Sequence, residues 1–217
     1  MTYNYRQDET LEAIARNVIA KYDPKLLKTP SAIPVEDIIE QAYGLTLEYL
    51  HIRKNGIILG ETIFEDALVA IYEPKDKEGY KLIHVKAGTV IIDASLLHNR
   101  SYGRFRFTCA HELAHWVIDR EYFLQRGEPA AAMTAKTAKD LARKTLRSSD
   151  VGAVIERQAN RMASRILMPK CTLKTAFYHA GSDSKIKDKP SYLADLYSVS
   201  KQAMQIRLEE LGLIYQP

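Results

Sequence analysis

The sequence is short of the features that mark disulfide-rich, secreted or membrane-spanning proteins. Only two cysteines, Cys109 and Cys171, occur in 217 residues, which excludes a disulfide scaffold and fits a reducing compartment. The first ten residues, MTYNYRQDET, lack the apolar core of a secretory signal, and no run of 18 apolar residues occurs. We therefore expect a cytoplasmic protein with no membrane segment.

The sequence also lacks a large excess of charge of one sign. The net charge of +4 is too small an excess to imply nucleic-acid binding by itself. Hydrophobic residues make up 46% of the chain, which is enough for a sizeable core and too much for a disordered protein. The sequence has no internal repeat and no low-complexity linker. A folded globular protein is the expected class.

The spacing of apolar residues predicts helices on both sides of a group of short strands. Five runs rich in β-branched and aromatic residues lie between 46 and 95 and predict a small, mainly antiparallel sheet. Helical periodicity predicts helices at 8–22, 34–43, 103–120, 134–146, 151–168, 189–197 and 200–211. The fold class is therefore α+β, a helix-wrapped sheet followed by a helical part.

The same pattern suggests a division of the chain into three parts. We expect an N-terminal helix within 1–33 and a core at 34–169 with a helical insertion near 121–150. A helical segment at 170–217 with a helix-turn-helix-like outline completes the chain.

The segment RFRFTCAHELAHWVIDR carries the strongest functional pattern, an HExxH motif. On a helix, residues i and i+4 share one face, so His111 and His115 can reach the same metal ion. Glu112 follows the first histidine, where its carboxylate can meet a water beside the metal and act as a catalytic base. The alternative is a helix whose histidines are merely partly buried polar groups.

A hydrolytic zinc site uses three protein ligands and one open position, so a third ligand is needed. The next strongly patterned helix offers Glu156, on one face with Ala159, Asn160 and Ala163. The small alanines allow a close approach of the two helices, and Asn160 can accept a hydrogen bond from a ligand histidine. Spacing alone leaves open that Glu156 is a surface carboxylate paired with a neighbouring arginine.

Beyond these two helices, two segments suggest partners. Residues 136–147, KTAKDLARKTLR, hold five basic residues and one acidic residue, which predicts either a solvated helix face or a docking surface for an acidic partner or nucleic acid. In 193–213 the exposed charges are expected to be mixed, with Lys201 and Arg207 offset by two glutamates. Such a surface binds phosphate poorly, so a structural or partner-docking role is favoured over direct nucleic-acid binding.

Four stretches of the sequence resemble the ImmA/IrrE family of HExxH metallopeptidases. They are IPVEDIIEQAYGLTLEYL, GTVIIDASLLHNRSYGRFRFTCAHELAHWVI, IERQANRMASRILMP and LADLYSVSKQAMQIRLEELGLI. The resemblance implies a zincin-like, gluzincin-type fold, with one Zn²⁺ held by His111, His115 and Glu156 and with Glu112 as the base. It also implies a protein substrate, typically a helix-turn-helix repressor whose cleavage releases transcription.

The chain departs from the family pattern at several points. Ala114 stands where glycine is frequent, Gln158 where a second acid is frequent and Met162 where an aromatic residue is common. About 40 residues separate His115 from Glu156, and this stretch includes an added segment. None of these departures removes a predicted ligand, so they bear on the substrate more than on the activity.

Two functions therefore compete. The first is a zinc-dependent regulatory endopeptidase, and the second is a non-catalytic zinc-containing regulator that binds DNA or a partner protein. Glu112 favours the first, because a purely structural zinc site closes with four ligands and needs no carboxylate beside an open position.

Overall fold

The computed structural model describes residues 3–54, 58–73, 79–98, 102–126, 133–136, 151–182 and 186–215. The helices are α1 Asp8–Tyr22, the 3₁₀ turn Pro24–Leu27, α2 Val35–Asp37 continued by the π-helical turn Ile38–Ala42, α3 Ser95–His98, α4 Tyr102–Ile118, α5 Arg120–Arg126, α6 Val151–Leu167, α7 Lys170–Ser182, α8 Lys189–Tyr197 and α9 Lys201–Glu210. The strands are β1 Thr46–Leu50, β2 Ile58–Thr62, β3 Ala67–Tyr72, β4 Tyr80–Val85, β5 Thr89–Asp93 and β6 Met133–Lys136. The predicted α+β class is confirmed.

A four-stranded sheet in the order β1-β5-β2-β6 forms one layer of the fold. The β1–β5 pair is parallel, whereas β2 pairs antiparallel with both β5 and β6. Strand β5, one of the two inner strands, is buried along its whole length, and its apolar residues Val90, Ile91 and Ile92 suit a strand covered on both faces. β3 and β4 form a separate antiparallel hairpin.

Side chains from β5 serve both faces of the sheet, because successive residues on a strand point to opposite sides. Val90 and Ile92 join the main core, which is formed with the helices. Ile91 joins a smaller cluster beneath the β3–β4 hairpin. α4 packs under β5 and β2 in the main core, and α6 packs against the other side of α4. This layering places the HExxH helix between the sheet and the helix that carries Glu156.

Several expectations are corrected in the insertion and the C-terminal part. The helix predicted at 134–146 is wrong at its beginning, since Met133–Lys136 is a strand paired with β2. The rest of that helix and of the basic segment 136–147 lies outside the described residues. α7 was not predicted, although it begins directly after Pro169, where the preceding helix was expected to end. The strand Met133–Lys136 replaces the start of the predicted helix because it pairs with β2, and local periodicity does not indicate such long-range pairing.

The surface of the last helices is less basic than expected. Arg207 was predicted to be exposed, but only 1% of its surface is accessible. Its guanidinium group pairs with Glu12 of α1, which compensates the buried charge. Lys201 remains exposed and is paired with Asp188. The exposed face of α9 therefore carries little positive charge for a phosphate backbone. Among the described residues, no helix has the length and apolarity that a membrane span requires.

Candidate metal centre

α4 brings two imidazoles of the HExxH motif together. His111 and His115 are buried one helical turn apart, and their Nε2 atoms lie 2.9 Å from each other. The rings are nearly perpendicular, at 83°, with centroids 4.5 Å apart. Both Nε2 atoms thus face the same small region between α4 and α6.

α6 adds a carboxylate to this region. Ala159 and Ala163 are fully buried, and their small side chains allow α6 to lie close to α4. Glu156 Oε2 lies 3.5 Å from His111 Nε2, and Glu156 Oε1 lies 3.8 Å from His115 Nε2. Ligand atoms of the three residues lie within 4.8 Å of one another. The structure therefore brings together the three residues that the sequence predicts as ligands.

The distances and the donor types fit a metal ion. Zinc binds imidazole nitrogen and carboxylate oxygen at about 2.0–2.2 Å, so tetrahedral geometry places ligand atoms about 3.3 Å apart. The separations of 2.9, 3.5 and 3.8 Å lie on both sides of this value. The three residues form a site that can hold a metal ion, with ligands from two helices.

The other nitrogen of each imidazole meets an acceptor. His111 Nδ1 lies 3.1 Å from Asn160 Oδ1, and His115 Nδ1 lies 2.8 Å from Asp119 Oδ2. Since a carboxylate only accepts, Nδ1 of His115 carries the proton; the amide oxygen assigned at Asn160 favours the same tautomer of His111. Each Nε2 is then left with its lone pair for a metal. Asn160 was predicted in this place; Asp119 was missed, although its i+4 spacing from His115 was a usable signal.

The basicity of His115 depends on its surroundings. Burial alone would lower its pKa, but the hydrogen bond and charge of Asp119, with Glu156 and Glu112 nearby, outweigh burial. They raise the pKa of His115 to about 9 in the metal-free protein. A metal must therefore compete with a proton for this nitrogen at neutral pH.

The predicted base, Glu112, is held by strand β2. Thr62 Oγ1 donates a hydrogen bond to Glu112 Oε2 at 2.7 Å and also lies 3.0 Å from the Glu112 carbonyl oxygen. Gly60 makes room for the side chain, because a Cβ at this position would lie 2.5 Å from Glu112 Oε1. Thr62 and Gly60 were not predicted from the sequence, since nothing in the helix motif points to them.

One oxygen of Glu112 is left for chemistry. Within the described part of the chain, Glu112 Oε1 is buried and has no hydrogen-bond partner. Burial, the largest cause, raises the pKa of Glu112, while the two histidines and Thr62 act in the opposite direction. A carboxylate with a raised pKa beside three convergent ligands is suited to accept a proton from a water molecule and to return it.

A hydrolytic site needs a further donor to stabilise the transition state, and the sequence offers Tyr178 and His179, which follow the helix that carries Glu156. Tyr178 and His179 both lie on α7 and are exposed, Tyr178 to 62%. An exposed hydroxyl is poorly placed to act as a preorganised donor in a water-excluded site. Their participation stays a prediction with no structural support.

The comparison with protein families agrees with the fold. A peptidase family described as the IrrE N-terminal-like domain (Peptidase_M78) matches residues 69–209, about two thirds of the chain. No curated protein gives a significant match. The α+β fold and this match define a zincin-like peptidase domain. The chain belongs to the IrrE N-terminal-like family, which confirms the resemblance to ImmA/IrrE proteins. The matched region includes α4 and α6, whereas β2 and the N-terminal residues lie outside it.

Proposed function

We propose that the chain is a zinc-dependent regulatory endopeptidase that hydrolyses a peptide bond in a protein substrate. The observation that carries this proposal is the buried, unpartnered Oε1 of Glu112 within the described chain, on the same helix as His111 and His115. A site that only stabilised the fold would need no base beside its ligands.

The ligands in this proposal are His111, His115 and Glu156. Two neutral nitrogens and one carboxylate suit Zn²⁺, and three protein ligands leave one coordination position open. When bound there, the ion would supply Lewis acidity to the scissile carbonyl and lower the pKa of the attacking water. Asn160 and Asp119 keep the two imidazoles oriented by accepting their Nδ1 protons.

Glu112 moves the proton in the proposed reaction. Oε1 takes a proton from the attacking water and later delivers it to the nitrogen of the leaving amine. Thr62 holds Oε2 and thereby fixes the direction in which Oε1 points. Burial of the helix between the sheet and α6 limits the entry of competing water.

The proposed substrate is a helix-turn-helix transcriptional repressor, and the proposed location is the cytoplasm. Membership of a peptidase family implies a protein substrate, and the resemblance to ImmA/IrrE proteins supports a repressor in particular. Cleavage would release transcription of the genes that the repressor controls. The two cysteines, which form no disulfide, are compatible with a reducing compartment.

The alternative, a non-catalytic zinc-containing regulator that binds DNA or a partner, receives less support. α8 and α9 have a helix-turn-helix-like arrangement, with Ser198 in a left-handed conformation between them. However, Arg207 is buried, and the exposed Lys201 is paired with Asp188. The two helices therefore expose little positive charge that could bind phosphates, and a structural or docking role is the better interpretation.

The Glu112→Gln variant tests the proposal. Glutamine keeps the size of the side chain but cannot take up a proton, so cleavage of a repressor should fall by about 10³-fold or more. The zinc content should remain that of the wild type, because Glu112 is not a ligand in this proposal. The measurement combines metal analysis with incubation of wild type and variant with a candidate helix-turn-helix repressor. Equal cleavage by both proteins would contradict the role of Glu112, and cleavage by neither would favour the non-catalytic alternative.

A further inference from the structure

The N-terminal residues before α1 lie across the end of α4 and the middle of α6, the two helices that carry the candidate metal centre. Arg6 Nη2 donates to the carbonyl oxygen of Ile118, at the end of α4, at 2.6 Å. Gln158 Nε2, on α6, donates to the carbonyl oxygen of Arg6 at 2.7 Å. The ring of Tyr3 meets the ring of Tyr122 edge-on, with centroids 5.2 Å apart. The segment 3–6 is thus fixed to both helices at once.

Within this segment, Tyr3 reaches a ligand histidine through one intermediate residue. The Tyr3 hydroxyl donates to Asp119 Oδ1 at 2.5 Å and lies 3.1 Å from Gln158 Oε1. Asp119 Oδ2 accepts from His115 Nδ1 at 2.8 Å. The two oxygens of one fully buried carboxylate therefore have different partners, a tyrosine on one side and a ligand on the other.

The Tyr3 hydroxyl is a dependable donor in this position. Burial is the main cause that raises the pKa of Tyr3 above its ordinary value of 10, and the Asp119 carboxylate acts in the same direction. The hydroxyl therefore keeps its proton throughout the physiological range. The Tyr3 hydroxyl and His115 Nδ1–H each donate to a different oxygen of Asp119, and these two hydrogen bonds together fix the orientation of the carboxylate.

We propose that Tyr3 is a positioning residue of the metal centre, which holds Asp119 so that His115 presents Nε2 to the ion. This inference rests on the proposed metal site and adds to it a part of the chain outside the matched family region. Without the hydroxyl, Asp119 Oδ1 would lose a buried partner, and the carboxylate could turn away from His115. The imidazole would then be less well oriented for binding.

Gln158 contributes to the same arrangement. Its amide nitrogen donates to the Arg6 carbonyl oxygen, and a carboxylate at this position could not do so. Gln158 stands where the family frequently has an acid. In this chain it is the residue of α6 that binds the backbone of the N-terminal segment. Its complete burial shows that the contact is part of the core between the segment and α6.

The test compares Tyr3→Phe with Tyr5→Phe. The first change removes the hydroxyl but keeps the ring against Tyr122, and the second removes a hydroxyl two residues away that accepts a hydrogen bond from Arg161. Zinc affinity is measured by competition with a chromophoric chelator. We expect Tyr3→Phe to bind zinc about tenfold more weakly, at the lower end of the roughly 10–100-fold effect of outer-shell partners. Tyr5→Phe should bind zinc like the wild type.

A double-mutant cycle separates positioning from a general structural role. If Tyr3 acts through Asp119, Tyr3→Phe should have almost no further effect on zinc affinity in an Asp119→Ala background. A loss that persists in that background would overturn the proposal, and so would equal affinities of Tyr3→Phe and Tyr5→Phe. Wild-type protein that binds no zinc would overturn the metal centre itself and this inference with it, so the two failures are distinguishable.

Discussion

Helix α6 takes part in two buried polar clusters, the candidate metal centre near its first turns and an ion-pair network near its last. The network joins Arg165 of α6 and Arg207 of α9 to three acids. Arg207 lies 2.5 Å from Glu12 and 3.3 Å from Glu210, and Arg165 lies 2.7 Å from Asp8. Both guanidinium groups are almost fully buried, while the acids keep some contact with solvent. Each cation in this network thus meets a carboxylate.

The candidate metal centre handles charge differently. Its carboxylates, Glu112, Asp119 and Glu156, surround two imidazoles that are neutral when they act as ligands. Burial is the main cause that raises the pKa of Glu112, and the charge of Glu156 acts in the same direction. A cluster that only stabilises the fold is closed by its own opposite charges. A cluster that concentrates negative charge around convergent nitrogens is arranged for a cation from outside.

The first prediction tests the metal side of this comparison. Glu156→Gln should weaken zinc binding by roughly 10³-fold, because an apparent zinc-binding free energy of roughly 10–16 kcal/mol is shared among a few ligands. The metal-free variant should be close in stability to the metal-free wild type, since the change removes both the repulsion between Glu156 and Glu112 and the attraction between Glu156 and the protonated His115. Chelator competition measures the first quantity and thermal unfolding without metal the second. Wild-type zinc affinity in this variant would show that Glu156 is not a ligand.

The second prediction concerns the network. Arg207→Met should lower the free energy of unfolding by about 3 kcal/mol, because Glu12 then loses its buried cation and Arg207 no longer donates to the Met168 carbonyl oxygen. Zinc affinity should not change. Lys201→Met is the matched control, since Lys201 is on the same helix but its pair with Asp188 is exposed. Denaturant unfolding of the wild type and the two variants measures the three free energies of unfolding. An equal loss of stability in both variants would show that a buried ion pair contributes no more than an exposed one.

The sequence supports prediction of local features more than of long-range contacts. α1 and α8 were predicted with the bounds that the structure has, because amphipathic spacing and end signals are local. The close approach of α4 and α6 was predicted from the small residues Ala159 and Ala163. The choice of Glu156 as the third ligand came from the resemblance to ImmA/IrrE proteins, because spacing alone left its role open. Where the pattern on the helix itself carried the information, sequence and structure agree.

The residues that support the site were missed for a physical reason. Thr62 is 50 residues from Glu112, and Tyr3 is 116 residues from Asp119, so no periodicity links them. Arg207 was expected at the surface because arginine is rarely buried without a partner, and its partner Glu12 is 195 residues away. Contacts of this kind follow from the packing of whole elements, which a single sequence does not specify.

The last prediction uses pH to compare the two clusters. The pKa of His115 in the metal-free protein is raised to about 9 from 6.5, so its contribution to stability is complete below pH 6.5 and disappears as the pH rises through 9. Zinc must displace this proton, and its apparent affinity should therefore rise about tenfold per pH unit from 7 to 9 and level off above 9. The ion-pair network of Arg165 and Arg207 lies near the other end of α6 and should add no pH dependence to zinc binding.

Proton release measures this effect directly. At pH 7, zinc binding should release about one proton from His115, seen as a dependence of the calorimetric heat on the ionisation enthalpy of the buffer. Arg207→Met should release the same number, since the network lies outside the metal centre. An affinity that stays constant between pH 7 and 9, with no proton released, would show that His115 is already neutral before the metal binds. The hydrogen bond from His115 to Asp119 would then have a weaker influence on the imidazole than its length of 2.8 Å implies.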